Sequence, residues 1–215
     1  MNTLPEAPLG RPIRLAVLIS GGGTTLDNFM RKIAAHELDA RIGVVISSSS
    51  ECVGNQKAET YQLPLVVVER DEYDSVHQFS NDIFAICRQH DVDLVLMGGF
   101  LCLIEIPQDF EYRVLNIHPS LIPAFCGRKF YGGRVHQAVY DRGAKVSGCT
   151  VHFADNQYDH GPIILQRAVE IAFEDTPHEI AARVFEQECE AYPEAVRLYA
   201  QGQLRLNNGR VQIIR

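Results

Sequence analysis

The chain has 215 residues, of which 46% are hydrophobic and 22% charged, with a formal net charge of −7. No run of Lys or Arg exceeds two residues, so the basic face that a polynucleotide requires is missing, and nucleic acid is excluded as a partner. Six scattered cysteines without CxxC spacing argue against structural zinc and a disulfide framework, and no apolar run reaches membrane-spanning length; the expectation is a cytoplasmic protein with no membrane contact.

Residues 1–13 contain Pro and Gly but no apolar signal-peptide core, and read as a flexible lead-in to a single domain over 14–215. Residues 14–20 form an almost wholly apolar run ended by Gly21-Gly22-Gly23, which suits a central parallel strand buried on both faces. Thr24 or Thr25 is expected to cap a helix to about residue 35, with Leu26, Phe29, Met30 and Ile33 at helical spacing. Strands over 41–47 and 65–68 follow, separated by a helix over 53–61. A longer amphipathic helix covers 73–90, a fourth strand covers 92–97, and Gly98-Gly99 breaks it. A short helical turn over 104–110, interrupted by Pro107, leads to a fifth strand over 113–117.

That alternation of strands and helices predicts βαβ units and a parallel sheet. The pattern then changes. Strands over 146–153 and 162–171 flank a long hairpin loop, a helix covers 176–201 with Pro177 early, and a last hairpin turns at Asn207-Asn208-Gly209. The fold class expected is α/β: a mostly parallel twisted sheet flanked by helices, with a C-terminal antiparallel extension.

Two segments carry chemistry. In Ser20-Gly21-Gly22-Gly23-Thr24-Thr25 the glycines let a ligand approach the backbone, and the helix behind them offers unpaired N–H groups to an anion. No Gly-Lys-Ser/Thr follows, and the third glycine of the dinucleotide fingerprint is missing, so a phosphate cradle competes with a plain tight turn. In the second segment Asn116 and His118 lie two apart at a strand end, on one face, and Pro119 stops the strand. Asp159 can fold back from its loop to meet His118. A donating amide, a proton-carrying imidazole and a carboxylate suit acyl transfer to an amine, with Asn116 and protonated His118 stabilising the tetrahedral oxyanion. A structural polar pair remains the competing reading of these residues alone.

Asn116-Ile117-His118-Pro119-Ser120-Leu121-Ile122-Pro123, the spacing to Tyr158-Asp159-His160-Gly161-Pro162, and the opening Ile19-Ser20-Gly21-Gly22-Gly23 resemble the phosphoribosylglycinamide formyltransferase family over residues 14–206. The resemblance implies a Rossmann-like formyltransferase fold. It implies transfer of a formyl group from 10-formyltetrahydrofolate, a cosubstrate, to the amine of 5'-phosphoribosylglycinamide in de novo purine synthesis, without a metal, by a monomer or homodimer that takes only small-molecule substrates. By position it makes Asn116, His118 and Asp159 catalytic, and sets Gly23, Thr24 and Thr25 against the phosphate. It places Glu188 on the ribonucleotide, and assigns the folate to Leu101, Cys102, Leu103 and Ile104 with Asn116 and the loop 154–159.

The chain departs from the family at Thr25, where Asn is frequent, and at Cys102, where many members carry Arg. Extra length over 126–134, rich in Gly and cations, reads as a cover for the site, a contact for an anion or a surface loop. His136, on an expected helix, and His152, on a strand, read as core or surface residues. Cys102 and Cys126 are poor candidates for nucleophiles, because an amine needs no covalent relay. The competing functions are formyltetrahydrofolate deformylase, which uses the same trio, and a nucleotide-binding module without chemistry. Methionyl-tRNA formyltransferase, with its extra C-terminal domain and basic surface, fits less well.

Overall fold

Seven strands share one sheet in the order β3-β2-β1-β4-β5-β6-β7, in a computed structural model that describes residues 4–214. These are β1 (Ile13–Ile19), β2 (Ala40–Ser47), β3 (Leu65–Val67), β4 (Leu94–Met97), β5 (Val114–His118), β6 (Val146–Phe153) and β7 (Ile163–Glu170). The first five run parallel, and β6 and β7 are antiparallel to their neighbours. Strands β8 (Leu204–Asn207) and β9 (Arg210–Ile213) make the separate antiparallel hairpin expected around Asn207-Asn208-Gly209.

The apolar run of β1 is explained by two cores. Alternate side chains of a strand point to opposite faces. Leu15, Val17 and Ile19 join a cluster with α1 (Thr24–Ala34), α4 (Gly133–Arg142) and α5 (Pro177–Ala200). Ala16 and Leu18 join another with Phe79, Ile83, Phe84 and Cys87 of α3 (Val76–Gln89). Burying a Leu or Ile side chain is worth about 1.5–3 kcal/mol, so after Arg14 polar residues are kept out of this strand on both sides. A short helix α2 (Gly54–Thr60) lies between β2 and β3.

Several boundaries differ from the sequence reading for local reasons. Helix α3 starts at Val76 and not at 73, because the Ser75 side chain caps it by accepting from the Gln78 N–H. Residues 104–107 form no regular element, and only Gln108–Phe110 form a 3-10 turn after Pro107. Helix α5 opens with a capping box of Thr176 and Glu179, followed by Pro177. Of the expected lead-in, residues 1–3 lie outside the described residues. From Leu4 onward it makes defined contacts: Leu4 and Leu9 pack on the core, the Leu9 N–H donates to Ala200 O at 3.0 Å, and Arg11 pairs with Asp93 at 2.6 Å.

Candidate active site

The strand order reverses around β1 and β4, which places a crevice beyond their carboxyl ends. The glycine turn follows β1 there, and Gly98-Gly99 follows β4. Gly23 caps α1 with φ 66 and ψ 28, and no side chain caps the helix. The expected Thr24 or Thr25 cap is therefore not formed, since the chain enters the helix through a left-handed residue that favours glycine. A Cβ at Gly23 would also lie 3.0 Å from the Cα of Gly54. As a result the N–H groups of Thr24, Thr25 and Leu26 have no partner among the described residues. Free donors at a helix N-terminus are what an anion needs.

Strand β5 ends beside this turn and carries Asn116 and His118 into it. The loop after β6 brings Asp159 back, with φ 53, a left-handed conformation that Asp tolerates better than most residues. Asp159 Oδ1 accepts from Asn116 Nδ2 at 3.2 Å, and Oδ2 lies 3.4 Å from His118 Nδ1. Oδ2 also accepts the N–H of Gly127 at 2.8 Å. His118 Nε2 donates to the Phe125 carbonyl at 2.9 Å, which leaves Nδ1 as the nitrogen available for chemistry. Phe125 and Gly127 thus hold the imidazole and the carboxylate from the start of the inserted segment. That segment packs over the site, because Tyr131, Gly132 and Gly133 also line the pocket.

The pocket has a volume of about 390 Å³ and is lined by Gly21–Thr25, Asn116, His118, Asp159 and Glu188, among others. Leu101 lines it too, 52% exposed, while Cys102, Leu103 and Ile104 line a cleft of about 70 Å³ on the other side of Asn116. The loop residues Ala154, Asp155, Gln157, Tyr158 and Asp159 close that cleft. The backbone N–H and C=O groups of Cys102, Leu103 and Ile104 make no hydrogen bond among the described residues.

Glu188, half-buried on α5, has neither a hydrogen bond nor an ion pair among the described residues, and burial pushes its carboxyl up to about 7. Burial, and then the charge of Asp159, push the Cys126 thiol up; burial does the same to Cys102. Neither has the lowered pKa of a reactive thiolate. Among the described residues no group of three or more His, Cys, Asp or Glu is set to hold a metal, and no helix is long and apolar enough to cross a membrane.

Two histidines expected as core or surface residues are buried, and both also border the site. His136 lines the pocket, and burial, followed by the charge of His118, lowers its pKa. His152 stands opposite Asn116 in the antiparallel β5–β6 register and lies 3.1 Å from its Nδ2. The signal for it was pairing between the two strands, which residue order within either strand does not disclose.

The sequence pattern of the family described as formyl transferase matches residues 13–196. Over 185 residues the chain is 38% identical to a phosphoribosylglycinamide formyltransferase, chloroplastic, of Vigna unguiculata, covering 85% of this chain and 59% of that one. It is 33% identical to the phosphoribosylglycinamide formyltransferase of Haemophilus influenzae, with 91% of each chain covered. The crystal structure of glycinamide ribonucleotide transformylase 1 from Symbiobacterium toebii matches with a TM-score of 0.88 at 35% identity, over 96% of each chain.

Proposed function

The chain belongs to the formyl transferase family, and on that premise we propose that it moves a formyl group from 10-formyltetrahydrofolate to the amine of 5'-phosphoribosylglycinamide, a step of purine synthesis. The observation that carries this reading is the meeting of Asn116, His118 and Asp159, with Asp159 3.2 Å from Asn116 and 3.4 Å from His118, beside the uncapped start of α1. The ribonucleotide phosphate sits on the amides of Thr24 and Thr25 behind Gly23, and Glu188 meets its sugar. The amine then lies near His118.

The folate ring edge pairs with the free backbone groups of Cys102, Leu103 and Ile104, with Leu101 and Asn116 at the border between the two substrates. A cleft of about 70 Å³ falls short of the roughly 300–1,000 Å³ of ligand pockets, so the loop 154–159 moves outward to admit it. Tyr158, 46% exposed at the loop tip, has room to do so.

The amine lone pair attacks the formyl carbon, and the C=O pair moves onto oxygen. His118, with one hydrogen held by Phe125 O, donates a second from Nδ1 to that oxyanion. On collapse the oxygen returns that proton to His118, the C=O re-forms, and the bond from carbon to the folate nitrogen breaks. That nitrogen takes up the proton which the amine gives up, relayed by Asp159 and His118. Stabilising a developing oxyanion with prearranged donors is the largest contribution available to such a site. The net charge of −7 and unpaired cysteines support action in the cytoplasm on small molecules alone.

The test is to incubate the purified protein with 10-formyltetrahydrofolate, with and without glycinamide ribonucleotide, and follow the loss of the formyl folate. Loss that requires the ribonucleotide is the expected result. Equal loss without it identifies a hydrolase, and no loss in either arm identifies a binding module.

A further inference from the structure

A phosphate at the glycine turn needs more donors than that turn supplies. The pocket holds the carboxylates of Asp159 and Glu188, and among the described residues no Lys or Arg lines it. A doubly charged anion bound there depends on N–H and O–H groups and on the positive ends of helices.

His136 of α4 lines the same pocket with an unused imidazole. The residue is 6% exposed, and its Nδ1 is sealed inside the protein without a hydrogen-bond partner among the described residues. An orphaned buried N–H is rarer than an under-satisfied acceptor, so Nδ1 is the bare nitrogen and Nε2 carries the hydrogen. Nε2 has no partner among the described residues either, but it is not sealed, so its N–H opens on the pocket. Burial, and then the charge of His118, keep the ring neutral by lowering its pKa. A neutral ring donates without setting a second cation against His118.

The helix that carries His136 adds to this. Its first residues, Gly132 and Gly133, also line the pocket, and no side chain caps it. The N–H groups of Arg134 and Val135 turn back to the carbonyls of Tyr131 and Gly132 at 3.2 and 3.1 Å, whereas those of Gly132 and Gly133 have no partner among the described residues. A Cβ on either glycine would meet nothing within 4 Å, so the space beside them is open. His136 follows these glycines by one helical turn, on the same face.

We propose that His136 is a phosphate-binding residue: its Nε2–H and the free amides of Gly132 and Gly133 hold the ribonucleotide phosphate together with the Thr24 and Thr25 amides, so that two helix starts share one anion. The proposal rests on the formyl-transfer reading above, which supplies the phosphate. The two helix ends offset the nearby carboxylates in place of a Lys or Arg. The segment 126–134 thereby gains a role, since it delivers the start of α4 to the pocket.

The test is calorimetry with 5'-phosphoribosylglycinamide, ribose 5-phosphate and 10-formyltetrahydrofolate. His136→Phe keeps a ring but removes the donor; the Kd of both phosphate-bearing ligands should rise about 10- to 100-fold, with that of the folate within about threefold of wild type. His136→Gln, whose amide reaches the Nε2 position, should bind both within about fivefold of wild type. His136→Asn, whose amide stops at the Nδ1 position, should be as weak as His136→Phe. Side-chain 15N shifts of the wild-type protein from about pH 6 to 8 should show Nε2 protonated and Nδ1 bare. Wild-type affinity for ribose 5-phosphate in His136→Phe, equal affinities in the Gln and Asn variants, or an Nδ1–H tautomer would each overturn the proposal. Should His136→Phe fail to fold, the Gln and Asn pair and the shifts still decide it. A wild-type protein without ribonucleotide-dependent turnover would instead defeat the formyl-transfer reading, and the ribose 5-phosphate affinities would still report on His136.

Discussion

One wall of the central pocket consists of consecutive residues, Gly21 to Thr25. Another draws Asn116 and His118 from β5 and Asp159 from the loop after β6, with His152, Phe125 and Gly127 as anchors. The first wall offers backbone N–H groups, and its only side-chain requirement is a hydrogen atom at Gly23. The second offers side-chain atoms whose hydrogen bonds are almost all made within the protein. The contrast gives two kinds of sensitivity. A change in the first wall alters how well an anion docks, whereas a change in the second strands its neighbours and alters the chemistry.

His118→Ala should give the largest effect. General acid–base assistance is worth roughly 100- to 10,000-fold, and kcat should fall by that order while calorimetry finds ribonucleotide affinity unchanged within about threefold. Unaltered turnover would break the division between the two walls. Asp159→Asn comes next. Its new NH2 must face either the Asn116 NH2 or the Gly127 N–H, so two donors confront each other in a half-buried site. Such a mismatch costs about 1–3 kcal/mol, which scanning calorimetry should register as a Tm lower by roughly 2–4 °C per kcal/mol.

Gly23→Ala sharpens the contrast from the other side. The left-handed backbone costs an L-residue about 1–2 kcal/mol, and the added Cβ meets Gly54. Steady-state kinetics should show a higher ribonucleotide KM with kcat at saturation close to wild type. A lowered kcat with normal KM would assign the turn to the chemistry instead.

The last effect leaves the chemistry aside: it is on stability and depends on pH. The Glu188 carboxyl is raised from 4.5 to about 7 in the folded chain by burial. The stability it contributes is therefore complete below about 4.5 and lost as pH rises through about 7. Gln does not titrate. The Tm of Glu188→Gln should exceed that of wild type by more at about pH 8 than at about pH 5, and an equal difference at both would refute the raised carboxyl.

Much of this was legible in the chain. The apolar run before Gly21 marked β1 to within a residue, because burial on both faces leaves no room for polar side chains. The reversal from parallel to antiparallel pairing after β5 was visible in the hairpin spacing of 146–171. The cap of α1 was misread, since Thr24 and Thr25 have the right chemistry for capping but the left-handed turn at Gly23 takes the place. The meeting of Asp159 with His118 was expected as a fold-back of the loop and then from the family resemblance, since no periodicity within either segment brings the two together. His152 went unrecognised for the same physical reason: its partner Asn116 is 36 residues away, and only the β5–β6 register brings them together.

The most direct test is a crystal structure of the protein with 5'-phosphoribosylglycinamide bound. The phosphate oxygens should lie about 3 Å from the Thr24 and Thr25 amides, with the amine within about 4 Å of His118 Nδ1. A phosphate bound away from the glycine turn, or an amine pointing away from His118 with the phosphate in place, would contradict the joining of the two walls in one reaction.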